Sequence, residues 1–290
     1  MSDTAVLRRF NRSYTQRIGA LEDSFLGTGR PLGENRLLFE IGASPATTQE
    51  LRERLGLDSG YLSRLLRALE ADGLVEVSPD PADRRRRLVR LTSAGAKTWE
   101  ELERLSEQRA LRLLEPLTAR QRVRLTEALG VADLLVRAAT VSLETVDPTS
   151  AYAREAMDRY YAELDERFPH GFVPDPHTDD DDASLRAPVG AFVVAVSDGR
   201  PVAGGGVRDY GHAAEIKRMW VDGGWRGAGL GSRLLRHLES LARGLGHTTV
   251  RLDTNETLLD AIAMYDRAGY DRVDRYNDNP YATHFFQKQL

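Results

Sequence analysis

Residues 215–254 run EIKRMWVDGGWRGAGLGSRLLRHLESLARGLGHTTVRLDT. EIKRMWV alternates charged and apolar residues with the period of a strand, and DGGW breaks it. RGAGLG then opens into a run that sets Leu230, Leu234, Leu238, Leu241 and Leu245 on one helical face, and VRLDT reads as a second strand. The glycines therefore fall where a strand hands over to a helix N-terminus. There the first backbone N–H groups lack intrahelical partners and the helix dipole is positive, so a pyrophosphate can bind without any side chain if nothing bulky blocks the approach. Gly227, Gly229 and Gly231 remove that block.

Length and composition bound the rest. At 290 residues the chain suits two domains. With 29% charged and 41% hydrophobic residues and no apolar run of about 18, a soluble, cytoplasmic protein without a membrane segment is expected. MSDTAVLRRFNRS lacks the apolar core of a signal peptide. The absence of cysteine excludes disulfides, thiolate catalysis and cysteine-ligated zinc, and six scattered histidines offer no metal spacing. Residues 1–147 carry 23 Lys and Arg against 22 Asp and Glu, and residues 148–290 carry 17 against 22. Net charge gives the first half no case for nucleic acid, but Arg84-Arg85-Arg86-Arg87 is a local cluster.

Three anion-binding loops compete for the glycine pattern. A Walker loop needs Gly-Lys-Ser/Thr, whereas Gly231 precedes Ser232 and Arg233; a dinucleotide GxGxxG lands on Leu234 or Ser232 at its last position. R-x-x-G-x-G, from Arg226 to Gly231, fits. It resembles the acetyl-CoA pyrophosphate loop of the GNAT superfamily of N-acetyltransferases, and Asn255 followed by AIAMYDRAGY resembles that family's closing helix and strand. The resemblance implies an α/β fold with a mixed, mostly antiparallel sheet over residues 149–290 and acetyl-CoA as co-substrate, without a metal. It also implies that Met219, Trp220, Val221, Arg226, Gly227, Ala228, Gly229, Leu230, Gly231, Ser232 and Asn255 bind acetyl-CoA, that Tyr265 faces the thiol, and that Glu215 is the general base.

In the first half, Leu7, Phe10, Tyr14, Ile18 and Leu21 mark an amphipathic helix, and LGENRLLFEIG a second. Thr47-Thr48-Gln49-Glu50 supplies a capping box for a third, and Asp58 opens a fourth that Gly73 closes. On the fourth, Leu62, Leu65, Leu66 and Leu69 form the buried stripe, which turns Ser59, Tyr61, Ser63, Arg64 and Arg67 outward. Two helices joined by a short glycine turn, the second with a cationic outer face, make a helix-turn-helix. LVEV and RLVRLT then form a hairpin with the basic tip SPDPADRRR, as a DNA-binding wing should. FNRSYTQRIG, LSRLLRALEADGLVE and D-R-R-x-x-x-V-x-L-T-x-x-G together resemble the MarR family of winged-helix repressors over residues 1–145. That resemblance implies an Asp83 that orients Arg85 into the minor groove beside Arg84. It also implies terminal helices, within residues 93–145, that pair two chains into a homodimer on a pseudo-palindromic double-stranded operator.

TVDPTS, residues 145–150, is the expected hinge, and PHGFVPDPHTDDDDASLRAP an aperiodic loop whose Asp179–Asp182 run is a solvated surface or a gate for cations. With Tyr276 and Tyr281, that loop reads as a cover over a small primary amine. The whole is expected to be a DNA-binding regulator fused to an N-acetyltransferase. The alternatives are a regulator whose second domain only senses acetyl-CoA or a metabolite, and a protein-lysine acetyltransferase.

Overall fold

The computed structural model describes residues 2–81, 83–174 and 182–290, in two compact units, residues 1–125 and 126–290. In the first, α1 (Asp3–Arg17) buries no residue and leaves Val6, Leu7, Phe10 and Tyr14 exposed. A core of Leu37, Leu38, Ile41, Leu51, Leu62, Leu65, Leu66, Leu69 and Val89 is built by α2 (Leu32–Ala43), α3 (Thr48–Leu55), α4 (Ser59–Ala71) and a small sheet. The expected capping box is present, since Thr47 Oγ1 accepts from Glu50 N at 3.3 Å while Glu50 Oε2 accepts from Thr47 N at 2.7 Å. The sheet orders β1 (Ala46–Thr47), β3 (Arg87–Leu91) and β2 (Val75–Pro79), so the hairpin is the wing and β1 adds a two-residue edge that no sequence period announced.

Thr92 caps α5 (Ser93–Leu114), and α6 (Ala119–Thr140) follows. The units divide within α6, about twenty residues ahead of the expected hinge. The physical reason is that Ala138 is buried in the second unit's core with Leu134 and Val141 against it. Thr145 and Val146, read as the start of the hinge from sequence, instead join Glu144 in an edge strand, β4 (Glu144–Val146), paired with Phe192–Val194.

The second unit's sheet has seven strands in the order β4, β5 (Gly190–Ser197), β6 (Arg200–Tyr210), β7 (Ala213–Val221), β8 (Thr249–Thr254), β10 (His284–Gln289) and β9 (Asp271–Arg272). Asp198 and Gly199, both at positive φ, form the hairpin turn between β5 and β6. Among the described residues only β7 and β8 run parallel, joined by a right-sized crossover through α8 (Leu230–Gly244). Leu230, Leu234, Leu235 and Leu238 of α8 bury one face of the sheet with Ile216, Val250, Leu252 and Phe286. α7 (Ala151–Arg167) covers the other through Ala153, Ala156 and Met157, which meet Phe192, Val194 and Trp220. α9 (Leu259–Arg267) closes the end near β8.

Gly95 tests the packing of α5 on the wing. A β-carbon there would fall 1.9 Å from the Leu74 carbonyl oxygen, a backbone atom that cannot swing away. Gly95→Ala should lower unfolding free energy by about 1–3 kcal/mol or more. Gly130→Ala, in mid-α6 with nothing within 4 Å, should be neutral or slightly stabilising. Urea midpoints of the two variants against the parent check the contrast.

Candidate functional site

The site begins where β7 and β8 part. They pair at Ala214↔Val250, Glu215↔Arg251 and Ile216↔Leu252, and no further. On the β6 side the register slips between Gly204 and Gly206, and Arg218 stands at φ 54°. A bulge with a left-handed non-glycine residue re-aims the strand at this point. The gap so opened is a cavity of about 440 Å³.

Its mouth is the glycine loop. Gly229 is the N-cap of α8 at φ 83°, Gly227 stands at φ 78°, and a β-carbon on either would meet nothing within 4 Å. The first intrahelical donor is Arg233 N, to Gly229 O at 3.1 Å, so the preceding amides are open to an anion. Gly227, Gly229, Gly231 and Ser232 line the cavity with Met219, Trp220, Val221 and Arg226. Ala228 and Leu230 do not; Leu230 is fully buried in the core and can offer only backbone. Asn255 also stands outside, its amide accepting from Thr257 N at 2.9 Å and donating to Tyr281 O at 2.7 Å.

Tyr265, on α9, is 5% exposed and lines the cavity. Burial, and after it the charge of Asp253, push its phenol well above the ordinary tyrosine value, so it stays a hydrogen-bond donor at any physiological pH. Tyr160, Glu163 and Arg167 of α7 form part of the facing wall, which sequence periodicity did not announce. Tyr160 is pushed up by burial and then by Asp253 in the same way. Glu163 accepts from Arg226, from Arg167 Nη1 at 2.9 Å and from Trp220 Nε1 at 3.0 Å. Burial alone would raise its carboxyl, but these donors outweigh it and hold Glu163 below the usual range. The loop arginine is thus fixed to α7 and to Val221 O at 3.1 Å.

Glu215 lies outside the cavity lining and is fully buried. Both of its oxygens are engaged, Oε2 by Arg208 Nε and Nη2 at 2.9 and 2.7 Å and Oε1 by Asn277 Nδ2 at 3.1 Å. A buried carboxylate so held, outside the cavity, is not placed to take a proton from an acceptor bound there.

Of the expected cover, Asp179, Asp180 and Asp181 lie outside the described residues, and Asp182 is buried against Arg218 at 2.6 Å rather than solvated. Tyr281 packs on Phe172 with ring centroids 4.8 Å apart and accepts from Val173 N at 3.1 Å. Tyr276 lies edge-on to Phe285, with the Arg251 guanidinium 5.3 Å from its ring.

In the first unit, Ser59, Tyr61, Ser63, Arg64 and Arg67 are all exposed on α4, while Leu62, Leu65, Leu66 and Leu69 face inward. Asp58 Oδ1 caps the helix by accepting from Tyr61 N at 2.9 Å. A groove of about 450 Å³ runs between Thr48, Gln49 and Arg52 of α3, the face of α4 and Arg87 of the wing. At the wing tip Asp83 Oδ1 accepts from Arg85 N at 3.1 Å and lies 3.6 Å from Arg85 Nε, which sets the turn while the Arg85 side chain stays 95% exposed. Arg84 is exposed beside it.

Comparison with known proteins agrees with both units. Residues 155–270 match the model of the acetyltransferase (GNAT) family and residues 28–86 that of the MarR family. An IAA acetyltransferase of Azospirillum brasilense is 31% identical over 129 residues, 44% of this chain and 78% of the relative. The multiple antibiotic resistance protein MarR of Escherichia coli is 41% identical over 66 residues, 23% of this chain and 46% of that protein. An N-acetyltransferase of Schizosaccharomyces pombe, itself uncharacterised, is 35% identical over 66 residues, of whose length the chain spans 40%. The chain belongs to the GNAT acetyltransferase family through its second unit and carries a MarR-family winged helix in its first. Among the described residues, no helix is long and apolar enough to cross a membrane, and no three His, Cys, Asp or Glu side chains group to hold a metal.

Two substitutions check the two faces. Gly229→Val places a β-branched residue at positive φ over the open amides, and acetyl-CoA affinity by calorimetry should fall at least tenfold with circular dichroism unchanged. Arg85→Ala should flatten the salt dependence of DNA binding by about 0.9 in log K against log salt for each phosphate it no longer neutralises.

Proposed function

We propose that this chain is a cytoplasmic, dimeric DNA-binding transcriptional regulator that also transfers an acetyl group from acetyl-CoA to a small primary amine. The observation that carries the enzymatic half is the cavity itself, which joins an open glycine loop at one end to the unpaired edge of β7 and to Tyr265. Acetyl-CoA fits that set, because an anion can reach the amides over Gly227 and Gly229, where no side chain stands. Backbone N–H groups of Met219 and Val221, on the strand edge that lost its partner, are donors for the thioester carbonyl and the oxyanion that follows. Tyr265, kept protonated by burial, hydrogen-bonds to the departing thiolate.

Elements packed beside the strand gap support a small acceptor over a protein lysine. The Asp182–Arg218 pair pins residues 182–185 to β7, and Phe168, Phe172 and Tyr281 pack into one aromatic cluster. The regulatory half rests on the exposed polar face of α4 beside the Asp83-ordered wing. Dimerisation rests on the exposed apolar residues of the expected pairing helices, Leu111 of α5 and Val123, Val131 and Val136 of α6, to which α1 adds Val6, Leu7 and Phe10; a second copy would cover them. A twofold dimer implies a pseudo-palindromic operator.

Thiol release from acetyl-CoA with a panel of primary amines tests the reading. Transfer to small amines is expected, and Tyr265→Phe should lower kcat about 10²-fold while leaving acetyl-CoA affinity near the parent value. Transfer confined to lysines of intact proteins would defeat the small-amine assignment.

A further inference from the structure

Glu215 is occupied, which leaves open what receives the acceptor nitrogen. The next positions along the two diverging strands are Lys217 on β7 and Asp253 on β8, one step past the last pair, Ile216↔Leu252. Strand alternation puts both on the sheet face opposite Ile216 and Leu252, whose side chains join the α8 core. Lys217 Nζ bridges the gap at 3.1 Å from Asp253 Oδ1, and Asp253 is 4% exposed at its side chain. Lys217 is the one cation within ion-pair distance of Asp253 among the described residues, and Asn279 Nδ2 donates to the other oxygen.

Two further features converge here. Tyr265, nineteen-twentieths buried, and Tyr160 both line the cavity. Neither Asp253 nor Lys217 lines the cavity itself; Lys217 stands two residues before Met219, which does, and the charge of Asp253 is felt at both phenols of its wall. The charged and titratable groups facing Asp253 are Lys217 and Glu215 from β7, Tyr160 from α7, Tyr265 from α9 and Tyr276 from the segment before β10. Lys217 is itself shared, standing 3.7 Å from Glu215 Oε1.

We propose that Asp253 is the anion that binds the acceptor's ammonium group, with Lys217 as the resident counter-ion that gives way to it. Lys217 can do so because Glu215 remains within its reach, so displacement strands no buried charge. Glu215 cannot take the role, being sealed by Arg208 and Asn277. The acceptor class that follows is a primary amine that arrives as its cation, held at the strand gap with the two phenols beside it. This rests on the reading of the cavity as an acetyl-transfer site and adds the group that selects the nitrogen.

The test uses the full-length protein, acetyl-CoA, a panel of primary alkylamines and arylalkylamines, and hydroxylamine, a nucleophile that is largely neutral at pH 7. The isosteric Asp253→Asn should raise the KM of cationic amines at least tenfold while leaving the KM of acetyl-CoA within about twofold and hydroxylamine turnover near the parent rate. Lys217→Met should lower the amine KM by removing the competitor. A loss shared equally by hydroxylamine, or an unchanged amine KM in Asp253→Asn, overturns the assignment. Calorimetric titration of the same amines into the CoA-loaded protein separates this proposal from the enzymatic reading on which it rests. Amine binding that Asp253→Asn abolishes, without turnover in the parent, refutes the transferase and keeps the subsite; neither binding nor turnover by any amine refutes both.

Discussion

Everything specific to the second unit depends on a ladder that stops early. Parallel strands hold each other by evenly spaced hydrogen bonds, and a crossover helix normally packs along their whole length. Here β7 and β8 share three residue pairs and then part, under a bulge that places Arg218 at positive φ. The gap exposes backbone donors along β7, gives α8 an N-terminus that looks into it, and lets α7 and α9 bring phenols to its walls. A fourth or fifth ladder pair would fill the cavity with backbone and leave an ordinary sheet.

Around the gap, charge is arranged so that nearly every ion has a partner on another element. Arg208 of β6 meets Glu215 of β7, Lys217 meets Asp253 of β8, Arg218 meets Asp182, and Arg226 of the loop meets Glu163 of α7. Removing one member of a buried pair costs about 3–5 kcal/mol, because the survivor is left uncompensated. These pairs therefore fix the relative placement of strand, loop and helix with few residues.

Much of this was legible in the sequence, for physical reasons that differ by region. The glycine loop was, because Gly227 and Gly229 mark positive φ at a strand-to-helix junction. The capping box at Thr47, the wing and the outward face of α4 were, because caps and helical periods are local. Glu163 and Tyr160 were not: they lie some sixty residues before the loop they face, and pairing across the fold leaves no period. Glu215 was read as the general base, since nothing local says that Arg208 and Asn277 close over it. Asn255 stands two residues past Asp253 on the same strand line, yet spends its amide on Thr257 and Tyr281. The edge strands β1 and β4, two and three residues long, were too short to alternate visibly.

α6 has one more consequence. Its first turns belong to the first compact unit and its last to the second, where Arg233, the second residue beyond Gly231 in the loop helix, donates to the Ala138 and Val141 carbonyls that no helical amide reaches. Arg137 lies on Trp225, the residue just before the loop, with its guanidinium 4.8 Å from the ring. A protease that nicked the chain at the Pro148 turn, or a gene fragment begun there, would separate the acetyltransferase from its own edge strand and from the helix end that clamps both flanks of its phosphate loop. The smallest excised piece that keeps its walls starts near Thr126, inside what a sequence ruler would assign to the first domain.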